Sequence, residues 1–599
     1  MTETTPAEAE TVAAGGGRTI AHLWRAAVAA GRPRPAYLVE DGGAWREISW
    51  EAAGARARDY ANGLIALGVR KGDAFGILAQ TSLDWALLDF ALAQIGAVVV
   101  PVYANSSARD VAYLLRHSEA VGVACGDAEL RGKVDEGAGE LPELRHVLAF
   151  DRLDTLATAG RVFAEADPAA LDEAAASIAD DDLYTIIYTS GTTGPPKGCM
   201  ISHRNYYAMA SVVDSMETYL HPDDLMLLYL PLAHNFGKLM LLDGAYAGFT
   251  IAFLSDPLRV GEALLQVRPT VLPSVPRVYE KIHSAAVARF DEATGLRRRI
   301  VDWALPVGRE VGRRRAAREP LSRGLALRHR VADRLVFSKV RAHLGGRLRT
   351  PISGGAPLAR EIADFFDTIG IEIVEGYGLT ECTTACTSNR PDANRFGTVG
   401  QALPGAEIRI ADDGEVLVRS ETVFQGYFKD SEATAAVFTD DGWLRTGDIG
   451  SLDEDGFLTI VDRKKDIIVT AGGKNVAPQN IENDLKASKY VSQALVVGDR
   501  RPYVAALVTL DPTEIVRWAK GRGLDADPSA LAHDPAVGEL VQGIVDDANR
   551  ARSRFEQVKR FAILPRDFTL EAGELTPTLK LRRRACIEHF RAELDELYR

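Results

Sequence analysis

Residues 183–198 constrain the fold more than any other stretch of this 599-residue chain. Leu183-Tyr-Thr-Ile-Ile-Tyr188 is apolar and rich in β-formers, which predicts a buried strand. The residues that follow, Thr189 to Gly198, consist of Thr, Ser, Gly, Pro and Lys and have no hydrophobic periodicity. They predict a loop, so the segment is interpreted as a strand that ends in a ligand-binding turn.

The composition of this loop suits a polyphosphate. Its glycines let backbone N–H groups approach a ligand closely, its hydroxyls donate hydrogen bonds, and Lys197 adds a cation. The spacing is not that of a Walker A motif, because Pro195 and Pro196 separate Gly194 from the lysine and Gly198 follows it. A flexible surface turn is the alternative interpretation.

Length, charge and cysteine content narrow the class of protein. A chain of this length is too long for one core, so about two to four domains are expected. The net charge of −13 argues against general nucleic-acid binding. Five scattered cysteines without a C-x-x-C pattern predict reduced thiols and a cytoplasmic protein. Residues 1–17 predict a disordered tail, and no uncharged apolar stretch is long enough to span a membrane.

Helices and strands alternate over the first 180 residues. Apolar helical runs at 52–67 and 82–94 are followed by short strands such as 97–102, which predicts an α/β fold with parallel sheets flanked by helices. Later, residues 371–374 predict a strand and residues 513–559 a helical stretch. A strand is expected at 561–564 and a terminal helix from Arg582.

Residues 289–349 are strongly basic. They contain sixteen Arg and one Lys against six acids, a net of +11 in a chain of −13. Apolar residues at helical spacing predict two or three helices with basic outer faces. The segment is either a solvated surface or a surface for peripheral contact with an anionic membrane.

Three further segments carry chemistry. In Glu375-Gly-Tyr-Gly-Leu-Thr-Glu381, Tyr377 lies between two glycines and can pack flat on a planar ligand, and the carboxylate of Glu381 suits a hard cation. Asp448, at the end of Trp443-Leu-Arg-Thr-Gly-Asp448, suits two ribose hydroxyls. Lys580 stands in the polar loop 573–581, after a charge cluster at 462–466.

In order along the chain, segments 188–198, 375–381, 443–448 and 462–475 and the Lys580 loop resemble the motifs of AMP-forming adenylate-forming enzymes. The resemblance covers about residues 19–598 and is greatest to long-chain fatty acid–CoA ligases, on the strength of the 573–580 ending and the basic insertion. It implies a large N-terminal domain of flanked parallel sheets (18–463), with the insertion at about 284–349 and a small β subdomain at about 397–461. A smaller, mobile α+β domain (464–599) would follow.

The resemblance implies a reaction in two halves. The carboxylate of a fatty acid, which the resemblance implies is long-chain, attacks the α-phosphorus of ATP, giving acyl-AMP and pyrophosphate, and the thiol of coenzyme A then displaces AMP. A carboxylate is an adequate nucleophile, so the protein must supply positioning and electrostatic stabilisation. Mg²⁺ would neutralise the triphosphate.

The resemblance also implies a role for individual residues. Lys580, Glu381 and Thr192 would be catalytic, the last two as Mg²⁺ ligands. His234 would line the acyl pocket, Lys465 would be the hinge between the domains, and Gly472, Gly473 and Lys474 would border the coenzyme A tunnel. The implied ATP and AMP contacts are Thr189, Ser190, Gly191, Thr192, Thr193, Gly194, Lys197, Gly355, Ala356, Glu375, Gly376, Tyr377, Gly378, Thr380, Asp448 and Arg463.

Other functions are compatible with the same motifs. The chain could adenylate a carboxylate for transfer to a carrier protein instead of coenzyme A. It could also be a catalytically silent lipid- or nucleotide-binding scaffold, although such a protein is expected to have lost Glu381 or Lys580. A luciferase-like oxidase would need a specialised pocket that the motifs do not reveal.

Overall fold

Two large sheets with parallel centres, both flanked by helices, form most of the N-terminal part of the chain. The computed structural model describes residues 17–189, 195–216, 219–524, 527–550, 552–576 and 580–599. This architecture confirms the α/β fold predicted from the alternation of helices and strands.

Strands and helices alternate along the chain. In chain order the strands are β1 (Tyr37–Asp41), β2 (Ala44–Ile48), β3 (Ala74–Leu78), β4 (Val98–Val102), β5 (Gly122–Cys125), β6 (His146–Ala149), β7 (Leu183–Thr189), β8 (Lys197–Ser202), β9 (Leu225–Leu228), β10 (Thr250–Phe253), β11 (Val271–Ser274), β12 (Thr350–Ser353), β13 (Val374–Tyr377), β14 (Thr387–Ser388), β15 (Gln401–Ala402), β16 (Ala406–Ile410), β17 (Glu415–Ser420), β18 (Gly426–Tyr427), β19 (Leu444–Leu452), β20 (Leu458–Arg463), β21 (Ile468–Val469), β22 (Asn475–Val476), β23 (Val491–Val497), β24 (Val504–Leu510) and β25 (Val558–Ile563). The helices are α1 (Ile20–Ala29), α2 (Trp50–Ala66), α3 (Leu83–Gln94), α4 (Ala108–His117), α5 (Ala128–Glu136), α6 (Leu153–Ala166), α7 (Ala170–Ala176), α8 (His203–Ser211), α9 (Asn235–Ala247), α10 (Val260–Val267), α11 (Pro276–Asp291), α12 (Gly295–Ala316), α13 (Arg323–Ala332), α14 (Ser338–Ala342), α15 (Arg360–Thr368), α16 (Ser431–Ala436), α17 (Pro478–Lys486), α18 (Pro512–Lys520), α19 (Pro528–Leu531), α20 (Pro535–Asn549), α21 (Arg583–His589) and α22 (Arg591–Leu597).

The first sheet has seven strands in the order β18-β8-β7-β4-β3-β5-β6. The run from β7 to β6 is parallel, whereas β8 turns back antiparallel to β7. Every residue of β3 and β4 is buried, as expected of parallel strands covered on both faces. The turn from β7 to β8 contains the predicted phosphate loop, which therefore lies at the carboxyl end of a parallel strand.

The second sheet has nine strands in the order β15-β14-β13-β12-β11-β9-β10-β1-β2. Its inner strands β13, β12, β11, β9, β10 and β1 are parallel. His234 follows β9, Gly355 follows β12, and Tyr377 is the last residue of β13. Because the carboxyl ends of parallel strands meet at one edge, the sheet brings these distant segments together.

Two smaller units follow. β16, β17, β19 and β20 form an antiparallel sheet in which Asp448 on β19 pairs in register with Arg463 on β20. The remaining residues form a three-stranded sheet, β23-β24-β25, whose faces pack into two hydrophobic clusters separate from those of the N-terminal part.

Two predicted boundaries near the site were wrong. Lys197 and Gly198 belong to β8 and not to the loop, because β8 pairs with β7 as far as Lys197 and Thr189. The strand expected at 371–374 begins only at Val374 and continues to Tyr377, where it pairs with β14.

Two predictions in the C-terminal part were also wrong. The stretch 513–559 is three helices, α18 to α20, each begun by an Asp cap and a Pro in its first turn, and Lys559 lies in β25 beside β24. The predicted terminal helix is interrupted at Phe590, whose backbone is not helical.

A buried ion pair ties α3 to α9. Lys238 Nζ lies 2.6 Å from Asp89 Oδ1, and both side chains are 0% exposed. The hydroxyl of Tyr184 donates to the other carboxylate oxygen of Asp89 over 2.6 Å, and the ring of Tyr184 lies 4.2 Å from the ammonium. Burial lowers the pKa of Lys238, with Asp89 opposing this shift.

The basic segment forms helices α12, α13 and α14, which confirms the predicted helices. Helix α12 packs its small residues closely on α15, since a Cβ at Gly308 would lie 2.4 Å from the carbonyl oxygen of Thr368. Among the helices that the structure describes, none is both long and apolar enough to cross a membrane.

Candidate active site

Fifteen of the predicted site residues line one cavity of about 1830 Å³. Its wall is formed by the carboxyl ends of both large sheets, by the antiparallel sheet and by residues of the C-terminal part. The predicted residues along it are Thr189, Lys197, His234, Gly355, Ala356, Glu375, Gly376, Tyr377, Gly378, Thr380, Glu381, Asp448, Arg463, Lys465 and Lys580. We refer to this cavity as the cleft.

The flanks of the predicted phosphate loop, Thr189 at the end of β7 and Lys197 at the start of β8, line the cleft. The central residues of the loop, Ser190, Gly191, Thr192, Thr193 and Gly194, lie outside the described part of the chain. At the start of β8, Lys197 Nζ lies 3.6 Å from Asp430 Oδ2 and 5.0 Å from the ring centroid of Tyr427.

Glu381 is held by a residue that the sequence motifs do not include. The hydroxyl of Tyr427 donates to Glu381 Oε1 over 2.7 Å. Burial first, and then the charge of Glu381, raise the pKa of Tyr427, so the phenol stays protonated as a donor. Tyr427 thus contacts both the lysine beside the phosphate loop and the predicted cation ligand.

The donor chemistry around Glu381 fits Mg²⁺. One carboxylate combined with substrate phosphates and water is the usual environment of this ion, which rarely binds in an all-protein cage. In the described residues no cluster of three or more His, Cys, Asp or Glu side chains is placed to hold a metal. Glu381 would therefore bind the ion together with the substrate, and the second predicted ligand, Thr192, is not described.

Tyr377, Asp448 and Arg463 form a connected group. The hydroxyl of Tyr377 donates to Asp448 Oδ2 over 2.5 Å, and Arg463 Nε lies 3.4 Å from Asp448 Oδ1. Burial raises the pKa of Asp448, while Arg463 and the Tyr377 hydrogen bond oppose the shift. A carboxylate oriented in this way suits the two hydroxyls of a ribose.

The segment around Tyr377 is tightly folded. A Cβ at Gly378 would lie 1.9 Å from the carbonyl oxygen of Thr384, so a side chain is excluded there. Thr384 itself has a φ of 102°, a strained value for a β-branched residue. Glu375 accepts a hydrogen bond from the backbone N–H of Leu358 over 3.1 Å, and burial raises its pKa to about 8.

Lys580 lies at the C-terminal side of the cleft. It remains open to the cleft, yet surrounding protein atoms reduce its hydration, and this desolvation lowers its pKa to about 8, with the charge of Arg463 contributing and Asp448 opposing. His234 lines the same cleft, and its pKa falls to about 3, first through burial and then through the charge of Lys580. Neutral His234 caps α9 by accepting the N–H of Phe236 on Nδ1 over 3.1 Å.

The remaining predicted residues, Lys465 and 472–474, follow β20 at the start of the C-terminal part of the chain. Lys465 lines the cleft, and burial and Arg463 lower its pKa. Gly472, Gly473 and Lys474 form the exposed turn of the β21–β22 hairpin and do not line the cleft. This arrangement brings Lys580, and not the hairpin, to the other site residues.

The family follows from sequence comparison. Residues 24–428 match the AMP-binding enzyme family, and residues 465–599 match the AMP-binding enzyme C-terminal domain. The chain belongs to the AMP-binding enzyme family.

Individual relatives are similar over almost the whole chain. Long-chain-fatty-acid--CoA ligase FadD15 of Mycobacterium bovis is 41% identical over 572 residues, which cover 93% of each chain. Human Long-chain-fatty-acid--CoA ligase 1 is 33% identical over 563 residues, covering 87% of this chain and 78% of that one.

Solved structures share the fold. The adenylation domain of a carboxylate reductase from Mycobacterium chelonae gives a TM-score of 0.77 at 24% identity, covering 99% of this chain and 93% of that one. The anthranilate CoA ligase AuaEII, in complex with anthranoyl-AMP, gives 0.73 at 21% identity, covering 95% and 97%.

Proposed function

We propose that the protein activates a long-chain fatty acid with ATP and transfers the acyl group to coenzyme A, releasing AMP and pyrophosphate. The observation that carries this proposal is the convergence of Lys580, Asp448, Arg463 and Glu381 on one cleft that continues into an apolar pocket. The long-chain-fatty-acid–CoA ligases among the relatives support the substrate class.

The first half-reaction joins two anions. A carboxylate oxygen of the fatty acid forms a bond to the α-phosphorus as the bond from that phosphorus to pyrophosphate breaks. The ammonium of Lys580 would lie between the carboxylate and the α-phosphate and stabilise the charge that develops there. Glu381 and Thr192 would hold Mg²⁺, which would neutralise part of the triphosphate charge.

Other residues would position the nucleotide. Asp448 would accept from the ribose hydroxyls with Arg463 beside it, and Tyr377 would pack on adenine. Gly355, Ala356, Glu375, Gly376, Gly378 and Thr380 would line the base, while residues 189–194 and Lys197 would hold the outer phosphates. His234, neutral over the physiological range, would line the acyl entrance without transferring a proton.

The second half-reaction needs a different arrangement. The thiol sulfur of coenzyme A forms a bond to the acyl carbon, the thiol proton is lost, and the bond from that carbon to AMP breaks. The exposed hairpin with Gly472, Gly473 and Lys474 lies outside the cleft, so we infer that residues 464–599 rotate about Lys465 as one domain against 18–463. Their separate hydrophobic clusters support this division.

The basic helices offer a surface for lipid. Leu327, Val331 and Leu335 follow one another at intervals of four residues and are 62%, 42% and 40% exposed. Exposed Arg328, Arg330 and Arg334 flank this apolar row. We infer that α13 and the turn that continues it contact an anionic membrane, from which a long-chain acid would be drawn.

ATP–pyrophosphate exchange tests the proposed activity. The purified protein is incubated with Mg²⁺, labelled pyrophosphate and carboxylic acids from acetate to oleate. Exchange that increases with chain length, followed by thioester formation when coenzyme A is added, is the expected result. If none of the acids in the series supports exchange, the proposed function is refuted.

A further inference from the structure

One acid lies on an otherwise apolar helix face inside the cleft. Phe236, Leu239, Met240 and Asp243 of α9 all line the cavity. Their spacing of i, i+3, i+4 and i+7 places them on one face of the helix. Asp243 therefore lies on the same helix face as Phe236, Leu239 and Met240, and it is the one polar residue of these four.

The surroundings of Asp243 are unsuited to a charge. The residue is 3% exposed, and its Oδ1 has no hydrogen-bond partner among the described residues. Apolar residues from α8 and the segment after it, Met209, Val212, Val213, Met216 and Leu220, line the same cavity. Burial raises the pKa of Asp243 well above its usual range, which favours the protonated, neutral carboxyl group.

A structural role does not account for this residue. Another buried acid, Asp89 on α3, has both carboxylate oxygens paired, with Lys238 and Tyr184. Asp243 acts electrostatically on Tyr219, whose pKa it raises, and the Tyr219 hydroxyl lies 3.4 Å from Ser388 Oγ. Buried polar atoms are almost always paired, so an unpaired oxygen on a side chain that lines a cavity points to a ligand.

The position along α9 indicates which part of a ligand would reach Asp243. Asp243 is nine residues beyond His234, or about 13 Å along the helix axis. Lys580, which would hold the reacting carboxylate, lines the same cleft as His234, and its charge lowers the pKa of His234. A group bound by Asp243 would therefore belong to the middle of a long acyl chain.

We propose that Asp243 is a specificity-determining residue that binds a hydroxyl group in the middle of the acyl chain, so that the preferred substrates are hydroxylated long-chain fatty acids. A neutral carboxyl group has one hydrogen to donate and oxygens to accept, and a hydroxyl group matches both. An unsubstituted chain would leave the carboxyl group unpaired, which disfavours it. This inference rests on the proposed acyl activation.

The test compares positional isomers. Pyrophosphate exchange is measured with hexadecanoate and with hexadecanoates hydroxylated at carbon 2, near the middle of the chain, or at carbon 16. The wild-type protein is expected to prefer a mid-chain isomer to hexadecanoate by about tenfold or more in kcat/KM. Asp243→Leu should abolish that preference and Asp243→Asn should retain part of it, because an amide also donates and accepts.

Asp223→Leu, on the exposed turn before β9, is the matched control and should keep the wild-type preference. Exchange with equal kcat/KM for all isomers in the wild-type protein would overturn the inference and leave the proposed function intact. A preference for the mid-chain isomer that persists unchanged in Asp243→Leu would likewise overturn the inference and leave the proposed function intact. The absence of pyrophosphate exchange with every acid tested would refute the proposed function, and this inference with it. If Asp243→Leu fails to fold, the wild-type positional profile and Asp243→Asn decide.

Discussion

The ammonium of Lys238 and the carboxylate of Asp89 face each other over 2.6 Å with no exposure to solvent. Removing one member of such a pair leaves the other as an uncompensated buried charge. We therefore expect Lys238→Met to lower the free energy of unfolding by about 3–5 kcal/mol. Urea denaturation monitored by tryptophan fluorescence would measure this loss of stability. Trp85 can report it, because its ring centroid lies 5.4 Å from Lys238 Nζ.

The double variant Lys238→Met/Asp89→Asn is the control. The amide can still accept from the Tyr184 hydroxyl, and no charge is left buried, so most of the lost stability should return. A loss in Lys238→Met of less than about 1 kcal/mol, the level of an exposed pair, would show that the ion pair is not a structural element of this core.

Tyr427 gives a second prediction. Tyr427→Phe removes the hydroxyl that donates to Glu381 but keeps the ring near Lys197. We expect kcat/KM for MgATP to fall about tenfold or more, because hydrogen bonds to charged groups are stronger than neutral ones. The Mg²⁺ concentration that gives half-maximal exchange should rise as well.

Tyr427→Leu, which removes both ring and hydroxyl, separates the two contacts. Any further decrease in kcat/KM for MgATP beyond that of Tyr427→Phe would measure the contribution of the ring near Lys197. An unchanged Mg²⁺ dependence in Tyr427→Phe would contradict a role for this residue in orienting Glu381.

The sequence predicted those site residues that sit in local patterns. Tyr377, Asp448 and Lys580 each stand in a short segment whose composition indicates its chemistry, and the structure places all three along one cleft. Their roles stay predictions. Tyr427 and Lys238 could not be found in this way, because each acts on a partner 46 or 149 residues away, and only the fold brings them together.

The errors in secondary structure have local causes. Three Asp-Pro pairs, at 511–512, 527–528 and 534–535, start new helices. The last two lie within 513–559, where apolar content alone predicted one continuous helical stretch. Lys197 and Gly198 have a loop-like composition, yet pairing of β8 with β7 across the sheet makes them a strand. Asp243 carries no local signal, since an acid on a helix is ordinarily exposed.

The basic helices predict binding to anionic vesicles. Arg328→Glu/Arg330→Glu should weaken co-sedimentation with vesicles that contain phosphatidylserine, because each basic residue near the surface contributes about 1 kcal/mol. Binding of the wild-type protein should fall as salt is added. Exposed Arg58 and Arg145, replaced by Glu together, provide a control with the same change in charge. Equal binding by both double variants would contradict the assigned surface.

Lys580→Ala separates the two halves of the reaction. Pyrophosphate exchange should fall about 100- to 1,000-fold, the usual effect of removing a group that stabilises transition-state charge. Thioester formation from supplied acyl-AMP and coenzyme A should largely survive, because Lys580 has no proposed role in that half. An equal loss in both halves would contradict the assignment of Lys580.

The pH dependence of exchange follows from the same residue. The pKa of Lys580 is lowered to about 8, so the ammonium is present below that pH and is lost as the pH rises through it. Exchange should therefore decline above about pH 8, where an unperturbed lysine would remain charged. The pKa of Glu375 is also about 8, so the profile of Glu375→Gln is the necessary control. A decline that persists in Glu375→Gln supports Lys580 as its origin, whereas a decline that disappears there would assign it to the carboxyl group of Glu375.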